Sequence, residues 1–183
     1  MARVCEILPY DGSLCDNDLG GINAIAIIER SNILTVTIAA GVVSAMTLVA
    51  DTNFEEWLVN DNNTAQMVET APTRDSSMIV QTLTAQFAGV GAGAIALGDG
   101  VNMCCDGVVY FVRYNNGLIR LFGIEYVSET DPKWRFSIRR ARAFVGTDSS
   151  TMEGKGVVTV TLDSGSQYLG VTTSLTWDAI LAL

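Results

Sequence analysis

The sequence predicts a mainly β protein: a β-sandwich or barrel of roughly eight short antiparallel strands with one short flanking helix. Three observations support this fold class. Runs of β-branched and apolar residues alternate with polar residues, turn-forming residues separate the runs, and residues 106–123 have the pattern of a β-hairpin. The 183 residues show no internal repeat and no linker, so we expect a single domain over residues 1–183.

The first elements are an arm and two strands. Residues 1–21 are rich in turn-forming residues and predict an extended N-terminal arm. Residues 22–30 predict a first strand, and residues 33–38 alternate as a second strand does. The alternation of the second strand predicts three residues on one face, namely Leu34, Val36 and Ile38.

Four more elements are predicted before the hairpin. Residues 41–50 fit either a buried strand or a short helix, because their period does not decide. Residues 54–60 fit a short strand or turn, residues 78–87 a long strand, and the glycine- and alanine-rich segment favours a short helix near residues 92–97. The long strand is expected to place five residues on one face: Ile79, Gln81, Leu83, Ala85 and Phe87.

The hairpin is the strongest local signal. Two apolar runs flank residues 115–117, which are Asn-Asn-Gly. A two-residue turn at positions 116 and 117 would place Arg113 opposite Arg120 and Val112 opposite Leu121. Because both faces of the hairpin are mostly apolar, we expect a second sheet or a neighbouring subunit to cover each of them.

Three strands are predicted after the hairpin. Residues 134–145 and 156–162 alternate, and residues 170–177 favour a last strand before a short apolar tail. Residues 164–183 together form the predicted C-terminal strand and tail.

The composition limits the protein's class. Hydrophobic residues make up 49% of the chain and charged residues 17%, and the mean hydropathy of +0.31 is high for a soluble monomer. The longest apolar run, residues 39–50, is too short to cross a bilayer, and the first residues lack the apolar core of a signal peptide. We therefore expect no membrane insertion by this chain and a share of its apolar surface in subunit interfaces.

The charge is acidic and uneven. The net charge is −9, which argues against a protein that grips nucleic-acid phosphates. Residues 1–106 hold 13 acidic and 3 basic side chains, whereas residues 107–183 hold 7 acidic and 8 basic ones. This asymmetry suits head-to-tail self-association, although a solvated arginine face with local acidic partners fits equally well. The candidate subunit-interface residues are Arg113, Arg120, Arg135, Arg139, Arg140 and Arg142.

The residue types leave little room for catalysis. The chain has no histidine, which excludes Ser-His-Asp and Cys-His arrangements and zinc sites that use histidine ligands. The four cysteines, Cys5, Cys15, Cys104 and Cys105, have no metal-binding spacing, and a Cys5–Cys15 bridge is left open. A loose dinucleotide-binding pattern in residues 91–96 lacks the buried parallel strand that should precede it. We expect no enzyme, no metal and no cofactor.

The order of the elements resembles a known family. Gly20-Gly21-Ile22 opens a strand, a threonine- and glutamine-rich strand lies at residues 80–87, the hairpin covers residues 108–125, and an alternating Val-Thr strand lies at residues 156–162. This order is similar to that of bacteriophage tail tube (major tail) proteins, which are in turn similar to the tubes of contractile injection systems. Residues 164–183 and the arginine-rich residues 134–142 depart from it.

The resemblance implies six copies that close into a ring by edge-to-edge sheet pairing, and rings that stack into a hollow tube. It implies a virion tail protein, assembled in the host cytoplasm, with its own copies and other tail proteins as partners. Genomic DNA would pass through the tube without specific binding, since an acidic wall repels it. The alternatives are a tail terminator, a head decoration protein, or a soluble ligand-binding β-barrel.

Overall fold

The computed structural model describes residues 21–59, 64–70, 79–88, 97, 100, 107–126, 134–136, 138–147, 156–166 and 170–183. Within them the chain forms thirteen strands, a 3₁₀ turn at Arg30–Asn32 and a five-residue helix, α1 (Trp177–Leu181), and the separately described residues Leu97 and Gly100 are also helical. The strands are β1 (Ile22–Glu29), β2 (Ile33–Ala39), β3 (Val42–Leu48), β4 (Glu55–Leu58), β5 (Thr64–Thr70), β6 (Ile79–Ala88), β7 (Val108–Tyr114), β8 (Ile119–Phe122), β9 (Ile124–Tyr126), β10 (Trp134–Phe136), β11 (Ile138–Thr147), β12 (Gly156–Ser166) and β13 (Val171–Thr173).

These strands form two main sheets and one short pair. The larger sheet has seven strands in the order β2-β3-β13-β8-β7-β1-β4, and the smaller has four in the order β11-β12-β6-β5. Strands β9 and β10 pair with each other. The pairing is antiparallel except between β13 and β3. The mainly β, sandwich-like fold is confirmed, and the described sheets do not close into a barrel.

Two apolar clusters cover the two faces of the seven-stranded sheet. The first joins that sheet to the four-stranded one, through residues such as Ile25, Tyr110 and Leu83. The second lies on the opposite face, where strands β2 and β3 and helix α1 pack against Phe111 and Val109. Strands β1 and β7 are therefore buried on both sides, and for β7 this agrees with the hairpin whose two faces are mostly apolar.

The hairpin turn differs from the predicted one. Its loop has three residues, 115–117, because the Gly117 amide donates to the Tyr114 carbonyl at 3.0 Å and the Tyr114 amide donates to the Leu118 carbonyl at 2.9 Å. Gly117 has a φ of +87°, in the left-handed region that the last residue of such a loop requires. The predicted two-residue turn is wrong by one residue.

This difference shifts the register of the hairpin and exchanges the faces of β8. Leu121 lies opposite Phe111, and Arg120 lies opposite Val112 instead of Arg113. Leu121 consequently joins the outer apolar cluster, while Phe122 packs between the sheets. A one-residue slip has this effect because neighbouring side chains on a strand point to opposite faces.

Three other expectations need correction. The pairing of β2 with β3 is irregular between Ile33 and Thr35. As a result Ile33 is buried, whereas Leu34 is 59% exposed and does not share a face with the buried Val36 and Ile38 as predicted. Strand β5 was not predicted at all. The C-terminal strand is shorter than predicted, and the apolar tail after it contains helix α1, which was not predicted.

Several predictions agree with the structure, and others concern segments outside the described residues. The inner face of β6 is as predicted, with Gln81, Leu83 and Ala85 buried. The ambiguous segment 41–50 contains strand β3. The arm over residues 1–20 and all four cysteines lie outside the described residues. Of the predicted helix near residues 92–97, only Leu97 is described, and it is helical.

Candidate functional site

The predicted arginines fall into two groups. Arg113 and Arg120 lie in the hairpin, on β7 and β8, and their side chains are partly buried. The other four lie on the strands β10 and β11, whose side chains are outside the described set.

Arg113 links the hairpin to the C-terminal helix. Its Nε donates to Asn23 Oδ1 at 2.8 Å, and its guanidinium lies 4.7 Å from the centre of the Trp177 ring. The indole nitrogen of Trp177 in turn donates to Glu56 Oε1 at 2.7 Å. Cation–π contacts of this kind favour Trp over the other aromatic residues. The arginine therefore has partners within its own chain.

Arg120 bridges the two main sheets. One terminal nitrogen lies 2.7 Å from Glu69 Oε2, and Glu69 belongs to strand β5 of the other sheet. The Arg120 Nε and its second terminal nitrogen donate to the Gly170 carbonyl at 3.3 and 3.1 Å. The guanidinium also lies 5.0 Å from the centre of the Phe122 ring.

Glu69 is the centre of this arrangement. Its Oε1 accepts hydrogen bonds from Gln81 Nε2 at 3.1 Å and from the Gly170 amide at 2.8 Å. The Gln81 side chain is fully buried, and the Glu69 and Arg120 side chains are only 14% and 17% exposed. We call Glu69, Gln81, Arg120 and Gly170 the inter-sheet cluster. Charge-assisted hydrogen bonds in a position so well shielded from solvent are strong and directional.

Tyr114 lies at the border of the inter-sheet cluster. Burial raises the pKa of its phenol above the ordinary value, and the nearby Arg120 guanidinium opposes that rise. Sequence reasoning missed Glu69 because it missed strand β5. The available signal was the alternation in residues 64–70, where Glu69 shares the inward period of Ala65 and Met67.

The second group of arginines lies on β10 and on β11, which is an edge strand among the described residues. Arg139, Arg140 and Arg142 are on β11, the edge strand of the four-stranded sheet, where Arg140 is in register with Asp163. Arg135 is on β10, in register with Glu125. Their role in a subunit interface stays a prediction.

The four-stranded sheet has a polar outer face. Cross-strand rows run over it, such as Gln66, Thr84 and Thr161, and Thr82 donates to Asp163 Oδ1 at 3.0 Å. Val68 and Val80 are its exposed apolar members, at 41% and 47%. The described residues on this face are Thr64, Gln66, Val68, Thr70, Val80, Thr82, Thr84, Gln86, Thr159, Thr161 and Asp163.

Two open clefts lie elsewhere on the molecule. One of about 480 Å³ is lined by apolar residues, by amides and hydroxyls, and by the carboxylates of Glu29, Asp51 and Glu55. The other, of about 440 Å³, lies between the hairpin loop and helix α1 beside Trp177. Within the described ranges, no group of three or more acidic or cysteine side chains is placed to hold a metal ion.

No protein-family model, curated protein or solved structure matches this chain. In the part of the chain that the structure describes, no helix has the length and apolar character that crossing a bilayer demands. A proposal about function therefore depends on the chemistry of the residues and on the sheet topology.

Proposed function

We propose that this protein is a structural subunit that assembles with its own copies into stacked rings, and that these rings form the tail tube of a bacteriophage. One observation carries the proposal. Among the described residues, no strand pairs with the outer edges of the four-stranded sheet, the described side chains on its outer face are mostly hydroxyls and amides, and its inner face packs in an apolar cluster.

Open edges favour pairing between copies. Among the described residues, no strand pairs with the outer side of β5, which has seven residues, or of β11, which has ten. Unpaired backbone groups along such edges are templates for another strand. If β5 of one copy pairs with β11 of the next, the contact is head-to-tail and a ring closes when the rotation allows it.

The diameter of such a ring is suitable for a channel that carries duplex DNA. Six copies of a four-stranded sheet, the number that the resemblance implies, would supply about two dozen strands. At about 4.8 Å between strands, their circumference is about 115 Å and the backbone diameter about 37 Å, and strand tilt increases both. That width admits duplex DNA after the inward side chains are allowed for.

In such a ring the outer face of the four-stranded sheet would form the wall of the tube, and its chemistry suits the passage of DNA without binding. Within the described part of the outer face, the residues are mainly Thr and Gln, and the charged one is Asp163. The chain as a whole carries −9. Affinity for DNA comes mostly from cations that neutralise phosphates, so a hydroxyl-rich wall on an acidic protein holds DNA weakly. Arg140 and Arg142 are on the edge strand β11, and their positive charges would strengthen DNA binding there.

Electron microscopy with two matched variants tests the proposal. Purified wild-type protein should form rings and filaments in negative stain. Val68→Lys places a cation on β5, which would pair with the arginine-bearing strand β11 of a neighbouring copy, and should raise the concentration needed for assembly at least tenfold. Val68→Glu has the same exposure and should assemble at least as well as wild type.

The outcomes separate the possibilities clearly. Equal behaviour of the lysine and glutamate variants would refute the β5–β11 contact. Single rings that never stack would point to a terminator, and a monomer at high concentration would refute self-assembly itself. Leu118→Lys, at a hairpin position that is 43% exposed, is the control for a surface cation.

A further inference from the structure

We infer that Glu69, Arg120 and Gly170 are positioning residues for assembly, because they hold the open edge strand β5 against the seven-stranded sheet. The consequence for assembly rests on the function proposed above. The attachment of β5 to the seven-stranded sheet is a property of the single chain and can be measured without assembly.

The inter-sheet cluster joins β5 to three other elements at one carboxylate. Glu69 accepts donors from Gln81 on β6, from Arg120 on β8 and from the Gly170 amide, which directly precedes β13. The bond to Gln81 stays within the four-stranded sheet, whereas the other two cross to the seven-stranded sheet. The edge strand is thus attached by directional bonds to the sheet that it packs on.

The atoms of Glu69, Arg120 and Gly170 also restrict any sliding of β5 along the seven-stranded sheet. The Arg120 guanidinium is a rigid planar fork that binds Glu69 with one nitrogen and the Gly170 carbonyl with two others. Gly170 approaches so closely that a Cβ there would lie 2.3 Å from Phe122 Cε1. Only a residue without a side chain can bring both its amide and its carbonyl into the inter-sheet cluster.

Directional bonds matter here because apolar packing alone does not set a register. Much of the described contact between the sheets is apolar, with side chains such as Leu83 and Phe122. The hydrophobic effect is non-directional, while buried ionic groups are known to fix registers in some folds. An edge strand displaced by one residue presents the wrong backbone groups to an incoming copy.

Hydrogen–deuterium exchange and an assembly assay on Glu69→Gln test the inference. We expect amide exchange in residues 64–70 to be at least tenfold faster than in wild type, with residues 108–114 unchanged. We also expect at least a tenfold rise in the concentration required for rings. Arg120→Met should reproduce both effects, since it removes the other half of the ion pair.

Two controls separate positioning from general destabilisation. Thr35→Ala removes the exposed Thr35–Thr47 hydrogen bond, which lies between β2 and β3 of the seven-stranded sheet and should leave assembly unchanged. Met46→Ala deletes a buried side chain in the other apolar cluster and should lower the melting temperature without a selective effect on β5.

Each outcome decides the matter. If amide exchange in residues 64–70 of Glu69→Gln equals that of wild type, the inference that Glu69 attaches β5 to the seven-stranded sheet is overturned. Faster exchange with normal ring formation would overturn its role in assembly. A wild-type chain that stays monomeric would refute the proposed function and the assembly role with it, while the exchange data would still decide whether the inter-sheet cluster holds β5.

Discussion

Replacing Gly170 with alanine should destabilise the fold through one specific collision. The new Cβ would lie 2.3, 2.7 and 2.8 Å from three carbons of the Phe122 ring. Carbon atoms normally pack at about 3.5–4.0 Å. The ring cannot retreat easily, because it is fully buried and stacked on Tyr110 with the ring centres 5.6 Å apart.

The expected cost follows from two opposing effects. Overpacking a filled core costs about 1–3 kcal/mol, and the rigid ring places this site at the upper end. Alanine restricts the unfolded chain more than glycine does, which returns about 0.4–1 kcal/mol. The net loss is about 2 kcal/mol, and for a chain of this length that lowers the melting temperature by about 4–8 °C.

Thermal and urea unfolding of three glycine variants would measure the effect. Gly100→Ala is the matched control, because nothing lies within 4 Å of its added Cβ, and it should be neutral or slightly stabilising. Gly41→Ala also meets open space but has a φ of +76°, so backbone strain alone should cost about 1 kcal/mol.

The double variant Gly170→Ala/Phe122→Leu identifies the cause. If the ring is the obstacle, its removal should recover part of the loss, with a coupling of about 1 kcal/mol or more between the two sites. If Gly170→Ala is no more harmful than Gly100→Ala, or if the two changes are simply additive, the reasoning from the close approach is wrong.

Three further expectations concern other parts of the molecule. Thr176→Ala removes the hydroxyl that caps helix α1 by accepting from the Ala179 amide, and it should cost about 1 kcal/mol in urea unfolding. Leu83→Ala, at a site 1% exposed between the sheets, should cost about 2–5 kcal/mol, whereas Leu34→Ala at 59% exposure should change stability by less than about 0.5 kcal/mol. Burial raises the pKa of Tyr114 above its ordinary value of 10.0, so the folded state favours the protonated phenol. Its contribution is complete below about pH 10 and is lost as the pH rises through the raised pKa, and Tyr114→Phe should reduce this alkaline loss in denaturant unfolding at about pH 9–11.

The period of side chains explains which strands could be predicted. Strand β6 alternates apolar residues with threonine, so both its existence and its inward residues Leu83 and Ala85 followed from the pattern. Strand β5 was missed because it is short and mixes Thr, Gln and Glu with only a few apolar residues. Helix α1 has five residues, too few to show a helical period.

The hairpin shows where local sequence stops being decisive. Asn-Asn-Gly is compatible with a two-residue loop at positions 116 and 117 and with a three-residue loop over 115–117. The two loops differ by one residue of register, and only packing on both faces of the sheet selects between them. The observed choice sends Leu121 to one apolar cluster and Phe122 to the other.

The sequence by itself determined the fold class, the apolar character of the hairpin and the absence of histidine chemistry, because these depend on composition and on short periods. Only the tertiary structure decided that Glu69 and Arg120 form an ion pair between two sheets and that Gly170 lies against Phe122. The physical reason is that alternation tells which face of a strand is inward but carries no information on which distant strand it meets. That choice is made by packing and directional polar contacts between segments far apart in the chain.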